Sequence, residues 1–508
     1  MPAARKLRIV MVAAEVAPFV KVGGLADVLG GLPRALRALG HDVRIVMPYY
    51  PMVHNSGRWE LEEILGPCPI PTHEGMVEQA KVHRTLMPPS RPGGNDGLPV
   101  YMIESDRWFK DADRSEKVYT GDAEPYIFLN RAVMELVPYL ERGWMPDILH
   151  CHDWQAGLAP VYLRTLYRCS TAWSGTSSVI SVHNLAHSGE FGRDVLEAAG
   201  LPPYLFSYDK LEFYGNVSLL KGGLVYSDQV NTVSETYARE IQTPEYGIRF
   251  EGLFRFLASQ GRLSGIVNGI DTAAFDPATD PLIPARYDRA NPAPKAICKA
   301  ALQKECGFAV DPDVPVASIV TRLVEQKGLD LLRDSADKLL AQPLELVVLG
   351  VGNPVYEQFF KELARKYPGR VHTRIVFDAP FAQRIYAGSD LFLMPSRFEP
   401  CGLGQLIALR YGTIPIVRKT GGLADTVEDY KSGGRGNGRG NGFVFEEYNS
   451  SAMLKAVARA VDAFHDKPGW AALVDRAMAA DFGWDKPARQ YVSLYRRAVA
   501  SPAVERAA

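Results

Sequence analysis

The 508 residues exceed what one hydrophobic core normally holds, so we expect at least two domains. Apolar residues make up 47% of the chain and charged residues 23%, as in ordinary soluble globular proteins. The formal net charge of -1 excludes a chain-wide positive field that would collect nucleic acid or an anionic membrane. No apolar run approaches the roughly 18 residues of a membrane span, and the cysteines form no CxxC pair. We therefore expect a cytoplasmic protein with free thiols and no signal peptide.

The first half of the chain alternates predicted strands and helices. LRIVMVAAE and HDVRIVMPYY are short runs rich in β-branched residues, which predict buried strands. Between them, KVGGLADV predicts a glycine loop and LGGLPRALRALG a helix that ends at Gly40. The alternation recurs in DILHCHDW, SSVISVHN and SDQVNTVSETYAREI. This order of strand, loop, helix and strand predicts a parallel sheet.

The second half repeats this organisation after a proline-rich connector, DPATDPLIPARYD to NPAPK. Strands and helices alternate again from VPVASIVTRL to TIPIVRK, which leads into KTGGLADTV. We predict an α/β protein with two doubly wound, Rossmann-like domains over residues 1–268 and 269–480, and a C-terminal helix over 481–508. The glycine-rich stretch at residues 431–442 predicts a solvated surface loop.

Nearly the same glycine peptide therefore occurs twice, from Lys21 and from Lys419. Ligands of parallel α/β sheets bind at the carboxyl ends of the strands, so we expect the two loops to line one central cleft. Glycine lets backbone N–H groups approach an anion, and a helix N-terminus adds about half a positive charge. The repeat therefore predicts an anionic ligand.

Two further stretches follow predicted strands of the second domain. VTRLVEQKGLD places Arg322 and Lys327 at a helix start, where the two cations can hold a diphosphate or form surface salt bridges. SRFEPCGLGQ places Glu399 at a strand end. There the carboxylate can accept hydrogen bonds from sugar hydroxyls, or can interact with the dipole of the next helix.

Histidines cluster in HCHDWQAG and SVHNLAHSGEF. An HxH pattern with a following aspartate is compatible with zinc, but along a strand His150 and His152 share one face while Cys151 takes the other. No further spacing of cysteine and histidine completes a ligand set. We therefore predict no metal site.

The motifs gain specificity from their order. They are Lys21-Val-Gly-Gly-Leu, His152-Asp153-Trp, Val182-His183-Asn184, Asn268-Gly-Ile-Asp271, Arg322 with Lys327-Gly-Leu-Asp, Ser396-Arg-Phe-Glu-Pro-Cys-Gly-Leu and KTGGLADTV. In this order they resemble the bacterial glycogen synthase and plant starch synthase family, almost from end to end of the chain. The resemblance implies the GT-B fold, with a C-terminal helix that crosses back to the first domain. It also implies transfer of glucose from ADP-glucose to the non-reducing 4-hydroxyl of an α-1,4-glucan with retention of configuration, without a metal or cofactor.

The resemblance further implies roles for individual residues. Its catalytic set is His183, Glu399, Arg322 and Lys327, and its substrate-binding set is Lys21, Gly23, Gly24, Asp153, Asn268, Phe377, Cys401 and Gly402. The cations hold the diphosphate, and the first glycine loop approaches it. Asp153, Asn268 and Glu399 grip the glucose, and the backbone carbonyl of His183 faces the anomeric carbon. Phe377 stacks on the base without selecting adenine, so UDP-glucose stays open as the donor.

Two positions depart from the family pattern. Gly404 stands where the family usually has a threonine whose hydroxyl helps the phosphate, which predicts a loss of roughly 1.5–3 kcal/mol in donor binding if nothing substitutes. His187 stands where the family usually has a tyrosine. Donor and acceptor preference, oligomeric state and regulation stay open.

Three other functions are compatible with parts of this pattern. A nicotinamide dehydrogenase needs GxGxxG and an acidic residue about 20 positions later, a spacing that KVGGLADV lacks. A glycogen phosphorylase needs a lysine that carries pyridoxal phosphate. A non-catalytic glucan-binding protein would tolerate the loss of Arg322, Lys327 and Glu399, yet all three are present.

Overall fold

The structure is a computed structural model that describes residues 5–73, 76–89, 97–431 and 438–500, apart from the side chain of Glu116. The chain forms two compact units. The first comprises Met1–Val233, Ala238–Gly269 and Trp484–Ala508, and the second comprises Ser234–Tyr237 and Ile270–Gly483. Within the predicted glycine-rich loop, residues 432–437 lie outside the described residues. In the described ranges, no helix combines the length and the apolar character needed to cross a membrane.

The first unit contains most of the strands. They are β1 Arg8–Val12, β2 Asp42–Pro48, β3 Glu62–Pro71, β4 Val77–Met87, β5 Leu98–Ser105, β6 Ile148–His152, β7 Ser177–Val182, β8 Glu190–Phe191, β9 Glu212–Phe213, β10 Asn216–Ser218, β11 Gln229–Thr232 and β12 Leu263–Gly265. The helices of this part of the chain are α1 Gly24–Ala38, α2 Pro51–Asn55, α3 Glu124–Leu136, α4 Leu158–Arg164, α5 Asp194–Ala198, α6 Leu219–Tyr226, α7 Glu235–Glu240 and α8 Glu251–Ser259.

The main sheet of the first unit has the strand order β12-β11-β7-β6-β1-β2-β5-β4-β3. The strands from β12 to β5 are parallel, as predicted, and β1 is completely buried from Ile9 to Val12. The edge strands β4 and β3 are antiparallel, which the sequence reading missed. They are joined by residues 72–76, a connection too short for a parallel crossover. A separate antiparallel sheet has the order β8-β10-β9.

Helix α1 shows where local sequence signals were sufficient and where they were not. Its predicted end is confirmed, because Gly40 has a φ of 89° and donates its N–H to the Arg37 carbonyl at 2.8 Å, while the His41 N–H reaches the Leu36 carbonyl at 3.2 Å. This pair of bonds is the Schellman motif. The helix begins at Gly24, however, so GLADV forms its first turn and the loop ends at Gly23.

The second unit is built on one parallel sheet. Its strands are β13 Val316–Val320, β14 Glu345–Leu349, β15 Val371–Arg374, β16 Leu391–Met394, β17 Ile414–Arg418 and β18 Phe443–Phe445. Its helices are α9 Lys295–Glu305, α10 Leu329–Arg333, α11 Ala336–Leu340, α12 Pro354–Lys366, α13 Ala379–Gly388, α14 Gly404–Arg410, α15 Gly421–Thr426, α16 Ser450–His465 and α17 Lys467–Ala479. The stretch GLDLLRDSADKLL, predicted as one helix, is split at Ser335, whose φ of -134° lies outside the helical range. The Ser335 hydroxyl donates to the Leu331 carbonyl at 2.6 Å across this break.

The strand order of this second sheet is β15-β14-β13-β16-β17-β18. The order reverses between β13 and β16, and ligands of open α/β sheets bind beyond the carboxyl ends of the strands at such a point. Arg322 and Lys327 follow β13, and Ser396 and Glu399 follow β16. The topology therefore brings two distant sequence motifs to one edge of the sheet.

The last described element, α18 Asp485–Ala500, packs against β6, β7, β11 and α1 of the first unit. Tyr491 and Tyr495 on this helix are completely buried. Trp484, which precedes the helix, lies against Gly31 of α1, where a Cβ atom would come within 1.9 Å of the indole Nε1. Only a glycine leaves room for this indole ring.

Candidate active site

The first glycine loop holds a carboxylate of its own chain. The Val22 and Gly23 N–H groups donate to Glu15 Oε2 at 2.5 and 2.9 Å, and the Tyr119 hydroxyl donates to Oε1 at 3.1 Å. Glu15 is only 2% exposed, and burial raises its pKa while the hydrogen bonds act in the opposite direction. These two N–H groups are therefore occupied by Glu15 in the structure. Sequence reasoning missed Glu15 and Tyr119, although a glutamate inside an apolar run was a visible signal.

Lys21 lies beside the N-terminus of α1. Its Nζ is 2.6 Å from Asp27 Oδ1, and the two side chains are 41% and 28% exposed. An ion pair this exposed contributes only about 0.2–1 kcal/mol, so a phosphate can compete for the lysine. Gly24 is exposed at the first helical position, where backbone N–H groups have no partner within the helix.

Asp153 and His183 meet at the carboxyl ends of β6 and β7. The Asp153 N–H donates to the Ser181 carbonyl at 2.9 Å, and Asp153 Oδ1 accepts the His183 N–H at 2.7 Å. Asp153 has a φ of 56° and a ψ of -173°, a conformation that costs about 1–3 kcal/mol and is typical of functional sites. Burial raises the pKa of Asp153 to about 7, against the lowering effect of the His183 and Asn184 N–H groups.

The His183 ring continues a row of imidazoles. Its Nε2 lies 3.0 Å from His152 Nδ1, and the ring centroids of His150 and His152 are 4.1 Å apart. The prediction that His150 and His152 share one face of the strand is therefore confirmed. Among the described side chains, no group of three or more histidine, cysteine, aspartate and glutamate residues is arranged to hold a metal ion.

Asn268 presents an unsatisfied acceptor in the first unit. The residue is 6% exposed, and within the described residues its Oδ1 is buried without a hydrogen-bond partner. Buried polar groups are nearly always paired, so an unpaired acceptor of this kind points to a missing donor. A sugar hydroxyl is such a donor.

Lys327 and Glu399 form the centre of the site in the second unit. Lys327 Nζ lies 2.6 Å from Glu399 Oε2, and the side chains are 15% and 6% exposed. The Ser396 hydroxyl donates to the same oxygen at 3.0 Å. Gly328 follows the lysine with a φ of 70°, and a Cβ there would come within 1.9 Å of the Pro395 carbonyl. This close approach brings the two strand ends together, and Arg322 is exposed nearby in the chain.

The second glycine loop supports the Glu399 segment through backbone packing. The Gly422 N–H bonds to the Glu399 and Pro400 carbonyls, each at 3.1 Å. A Cβ at Gly421 would come within 1.9 Å of the Glu399 carbonyl, and one at Gly422 within 2.2 Å of the Cys401 carbonyl. The glycines here allow two backbones to touch, so the two copies of the peptide differ in local role. That both loops line one cleft stays a prediction.

The remaining predicted residues of the second unit have contrasting environments. Cys401 is 5% exposed, and Gly402 has a φ of 74° that favours glycine. Phe377 comes just before the α13 N-cap and is 72% exposed, an unusual environment for a phenylalanine. Exposure of this kind fits a ring that stacks on a planar ligand.

Comparison with known proteins shows to which family this chain belongs. The family models "Starch synthase catalytic domain" and "Glycosyl transferases group 1" match residues 8–256 and 307–464. A glycogen synthase from Desulforudis audaxviator is 45% identical over 516 residues, covering 99% of this chain and 98% of that protein. One from Thermotoga maritima is 43% identical over 500 residues, covering 97% and 99%. This chain belongs to the glycogen synthase and starch synthase family.

The predicted fold class and enzyme class are thereby confirmed: members of this family are GT-B retaining glycosyltransferases with glycogen or starch synthase activity. The catalytic domain of starch synthase IV from Arabidopsis thaliana, bound to ADP and acarbose, matches with a TM-score of 0.88 and 33% identity. The match covers 98% of this chain and 100% of that chain. A sucrose-phosphate synthase from Thermosynechococcus elongatus, with a TM-score of 0.57 and 17% identity, shares the fold alone.

The structure gives a physical reason for one departure from the family pattern. A Cβ at Gly404 would lie 2.9 Å from Phe392 Cε1 and 3.0 Å from Cζ. Phe392 is completely buried, so its ring cannot easily move aside. The phenylalanine edge occupies the space that a threonine side chain would need. His187, the other departure, is exposed.

Proposed function

We propose that this chain transfers glucose from ADP-glucose to the non-reducing 4-hydroxyl of an α-1,4-glucan, with retention at the anomeric carbon. The observation that carries the proposal is the Lys327–Glu399 pair at the strand-order reversal of the second sheet. It joins a cation suited to phosphate and a carboxylate suited to sugar hydroxyls within 2.6 Å. The starch synthase relative bound to ADP and acarbose supports the choice of donor and acceptor.

Breaking the bond between glucose and the diphosphate leaves additional negative charge on the leaving phosphate. Lys327 and Arg322 stabilise this charge, and the resemblance assigns Lys21 to the same task. The resemblance implies no metal ion, so these cations supply the counter-charge. Removing one preorganised partner of this kind typically lowers kcat by about 10²–10³-fold.

The sugar ring is held by neutral and anionic acceptors. Ser396 and Lys327 both bind Glu399 Oε2, which leaves Oε1 for a glucose hydroxyl. Asn268 Oδ1 accepts a second hydroxyl, and Asp153 orients the backbone of His183. The His183 carbonyl then stabilises positive charge on the anomeric carbon in the transition state.

Retention without a protein nucleophile requires attack from the side of the leaving group. Glu399 Oε2 accepts hydrogen bonds from Lys327 and Ser396, and Asp153 Oδ1 accepts the His183 N–H, so the contacts of both carboxylates suit binding roles. The resemblance implies that the acceptor hydroxyl attacks on the leaving-group face and that the departing phosphate takes its proton.

The test is glucan elongation on maltooligosaccharides with ADP-glucose and with UDP-glucose, for the native chain and for Glu399→Ala and Lys327→Ala. We expect faster turnover with ADP-glucose and a loss of about 10²–10³-fold in kcat for each variant. Lys366→Ala, which removes an exposed lysine paired with Asp337, serves as the matched control.

The alternatives give different results in the same assay. A UDP-glucose synthase would reverse the donor preference while remaining sensitive to both substitutions. A non-catalytic glucan-binding protein would bind maltooligosaccharide without elongating it. Unchanged elongation by folded Glu399→Ala would contradict the assigned roles.

A cytoplasmic location completes the proposal. The six cysteines are free, and four of them are buried, which suits a reducing compartment.

A further inference from the structure

Three histidines form a column from the interior of the first unit to the candidate site. Ring centroids are 4.1 Å apart between His150 and His152 and 5.2 Å apart between His152 and His183. His150 and His152 are completely buried, whereas His183 is half-buried at the open end. The roles assigned above use only the His183 backbone, so the column has no function yet.

The closed end of the column is held by the C-terminal helix. The Tyr495 hydroxyl lies 2.9 Å from His150 Nδ1, and His150 Nε2 lies 2.7 Å from the Ser181 hydroxyl. Ser181 donates to Asn231 Oδ1 at 2.7 Å, and Asn231 Nδ2 donates to the Tyr491 hydroxyl at 3.1 Å. All of these side chains are completely buried. Two tyrosines of α18 therefore close the network.

The directions of these bonds determine the tautomer of His150. Ser181 uses its single proton toward Asn231, so it accepts from His150 Nε2–H. The other nitrogen, Nδ1, then accepts the Tyr495 proton. Burial lowers the pKa of His150 and of His183 to about 3 and lowers that of His152 as well, so each ring carries one N–H near neutral pH.

His152 is the link between the two ends. Its Nδ1 faces His183 Nε2 at 3.0 Å, and among the described residues its Nε2 is buried without a partner. A proton on Nε2 would be a buried N–H donor without an acceptor. An unprotonated Nε2 is an unpaired acceptor, which costs less free energy, because unpaired buried donors are rarer in proteins than unpaired acceptors. The proton of His152 therefore lies on Nδ1 and is donated to His183.

We propose that His152 is a positioning residue that, held in place by Tyr495 of the C-terminal helix through His150, fixes His183 as the Nδ1–H tautomer. This inference rests on the proposed function for the role of His183 at the site. The fixed tautomer makes His183 present an N–H donor, not a lone pair, to the bound substrate. It also holds the ring, and with it the His183 backbone, in one orientation.

The direct test is ¹⁵N NMR of the full chain labelled at histidine, with the His183 signals identified by their loss in His183→Gln. We expect the protonated nitrogen of His183 to be Nδ1 in the native chain. We expect His152→Leu to yield a tautomer mixture at His183. A native His183 protonated on Nε2 would overturn the proposal, and this readout does not depend on activity.

Kinetics test the positioning role. His152→Leu is expected to lower kcat by about 10²-fold with a smaller change in KM, because misplacement by about 1 Å costs that much. His152→Asn, which keeps an N–H group near the position of Nδ1, is expected to recover most of the loss. Equal activity of native and His152→Leu enzymes would contradict the proposal, as would failure of His152→Asn to exceed His152→Leu in a folded chain.

The contribution of the C-terminal helix is measured with Tyr495→Phe, which keeps the ring and removes the hydroxyl. We expect a lower kcat, because His150 loses its Tyr495 hydrogen bond and then packs less firmly against the His152 ring. The His183 tautomer should stay Nδ1–H, because His150 contacts His152 through the ring and uses both of its nitrogens for other partners. The control is Tyr162→Phe, which removes another buried hydroxyl that donates to the Ala199 carbonyl at 3.0 Å. Equal effects of the two substitutions would show that Tyr495 is merely structural. If the native chain elongates no glucan, the proposed function fails while the NMR result still decides the tautomer.

Discussion

Glu15 shows how much one buried side chain determines at the residue scale. Its carboxylate accepts two N–H groups of the glycine loop and the Tyr119 hydroxyl, so it fixes the conformation of the segment that leads to Lys21 and α1. Nothing in the periodicity of the sequence indicates this role, because a glutamate in an apolar strand end is equally consistent with a salt bridge. Its partners come from the next loop and from a segment about 100 residues later.

Replacing Glu15 by alanine should damage donor binding. The Val22 and Gly23 N–H groups would lose their acceptor, at a cost of about 1–3 kcal/mol, so we expect kcat/KM for ADP-glucose to fall about 10–10²-fold. Glu15→Gln keeps one acceptor oxygen, so its kcat/KM should decrease less. Tyr119→Phe removes a single hydrogen bond, so its kcat/KM should decrease least. Steady-state kinetics measure this order, and equal values for the three variants would contradict it.

The raised pKa of Asp153 predicts a pH dependence of stability. Its pKa is about 7 in the folded chain and 3.8 in the unfolded reference, so the folded state binds an extra proton between these values. Protonation therefore stabilises the fold at the acid end, and this stabilisation is lost as the pH rises through about 7. Calorimetric scans at pH 5 and at pH 8 measure this effect. The unfolding temperature of Asp153→Asn should fall less between the two pH values than that of the native chain. A slope equal to that of the native chain would argue against a titrating Asp153.

At the scale of elements, the two glycine peptides have nearly the same sequence but make different contacts. In the first unit, the N–H groups of the loop bind the Glu15 carboxylate before α1 begins. In the second, Gly421 and Gly422 lie against the backbone from Glu399 to Cys401 at the start of α15. In both cases glycine serves close approach, to a carboxylate in one and to a backbone in the other.

The start of α14 provides a test at the same scale. Gly404→Thr introduces the family's usual residue, but its Cβ would meet the buried edge of Phe392. We expect a loss of stability of about 1–3 kcal/mol from overpacking, measured by urea unfolding. The double variant Gly404→Thr, Phe392→Leu should recover stability and, through the added hydroxyl, lower KM for ADP-glucose. Full stability of the single variant would show that Phe392 can move.

At the scale of the whole molecule, the chain returns to its first unit at its end. Helix α18 follows the second unit in sequence, yet its buried face packs on β6, β7, β11 and α1. The first unit is therefore incomplete without the last part of the described chain. This connectivity also allows Tyr495 to reach a histidine 345 positions earlier in the sequence.

Trp484 anchors this return and predicts a selective loss of stability. Its indole fills the space above Gly31, so Trp484→Ala should destabilise the first unit by about 3–5 kcal/mol. Differential scanning calorimetry should show an earlier transition for that unit and little change for the second. Trp470→Ala, which removes a half-buried indole next to Phe464 in the second unit, should show the opposite pattern. A uniform shift of both transitions by either variant would contradict this assignment.

Local signals in the sequence were sufficient for much of the fold. Runs rich in β-branched residues predicted the parallel strands, and the glycine at the end of α1 predicted where that helix ends. The ordered motifs gave the family and the residues that follow β13 and β16. These features succeed because strand burial, helix capping and strand-end loops depend on residues close together in the chain.

Only the tertiary structure decided the rest, because it depends on which distant segments touch. The hydrogen bond from Tyr119 to Glu15 and the column from Tyr495 to His183 each join parts of the chain that are far apart in sequence. The contact that keeps residue 404 a glycine depends on where the buried Phe392 ring packs. The antiparallel direction of the edge strands was likewise seen only in their pairing. The sequence determines which chemical groups the chain carries. Long-range contacts determine which of these groups meet and, in the histidine column, which ring nitrogen carries the proton.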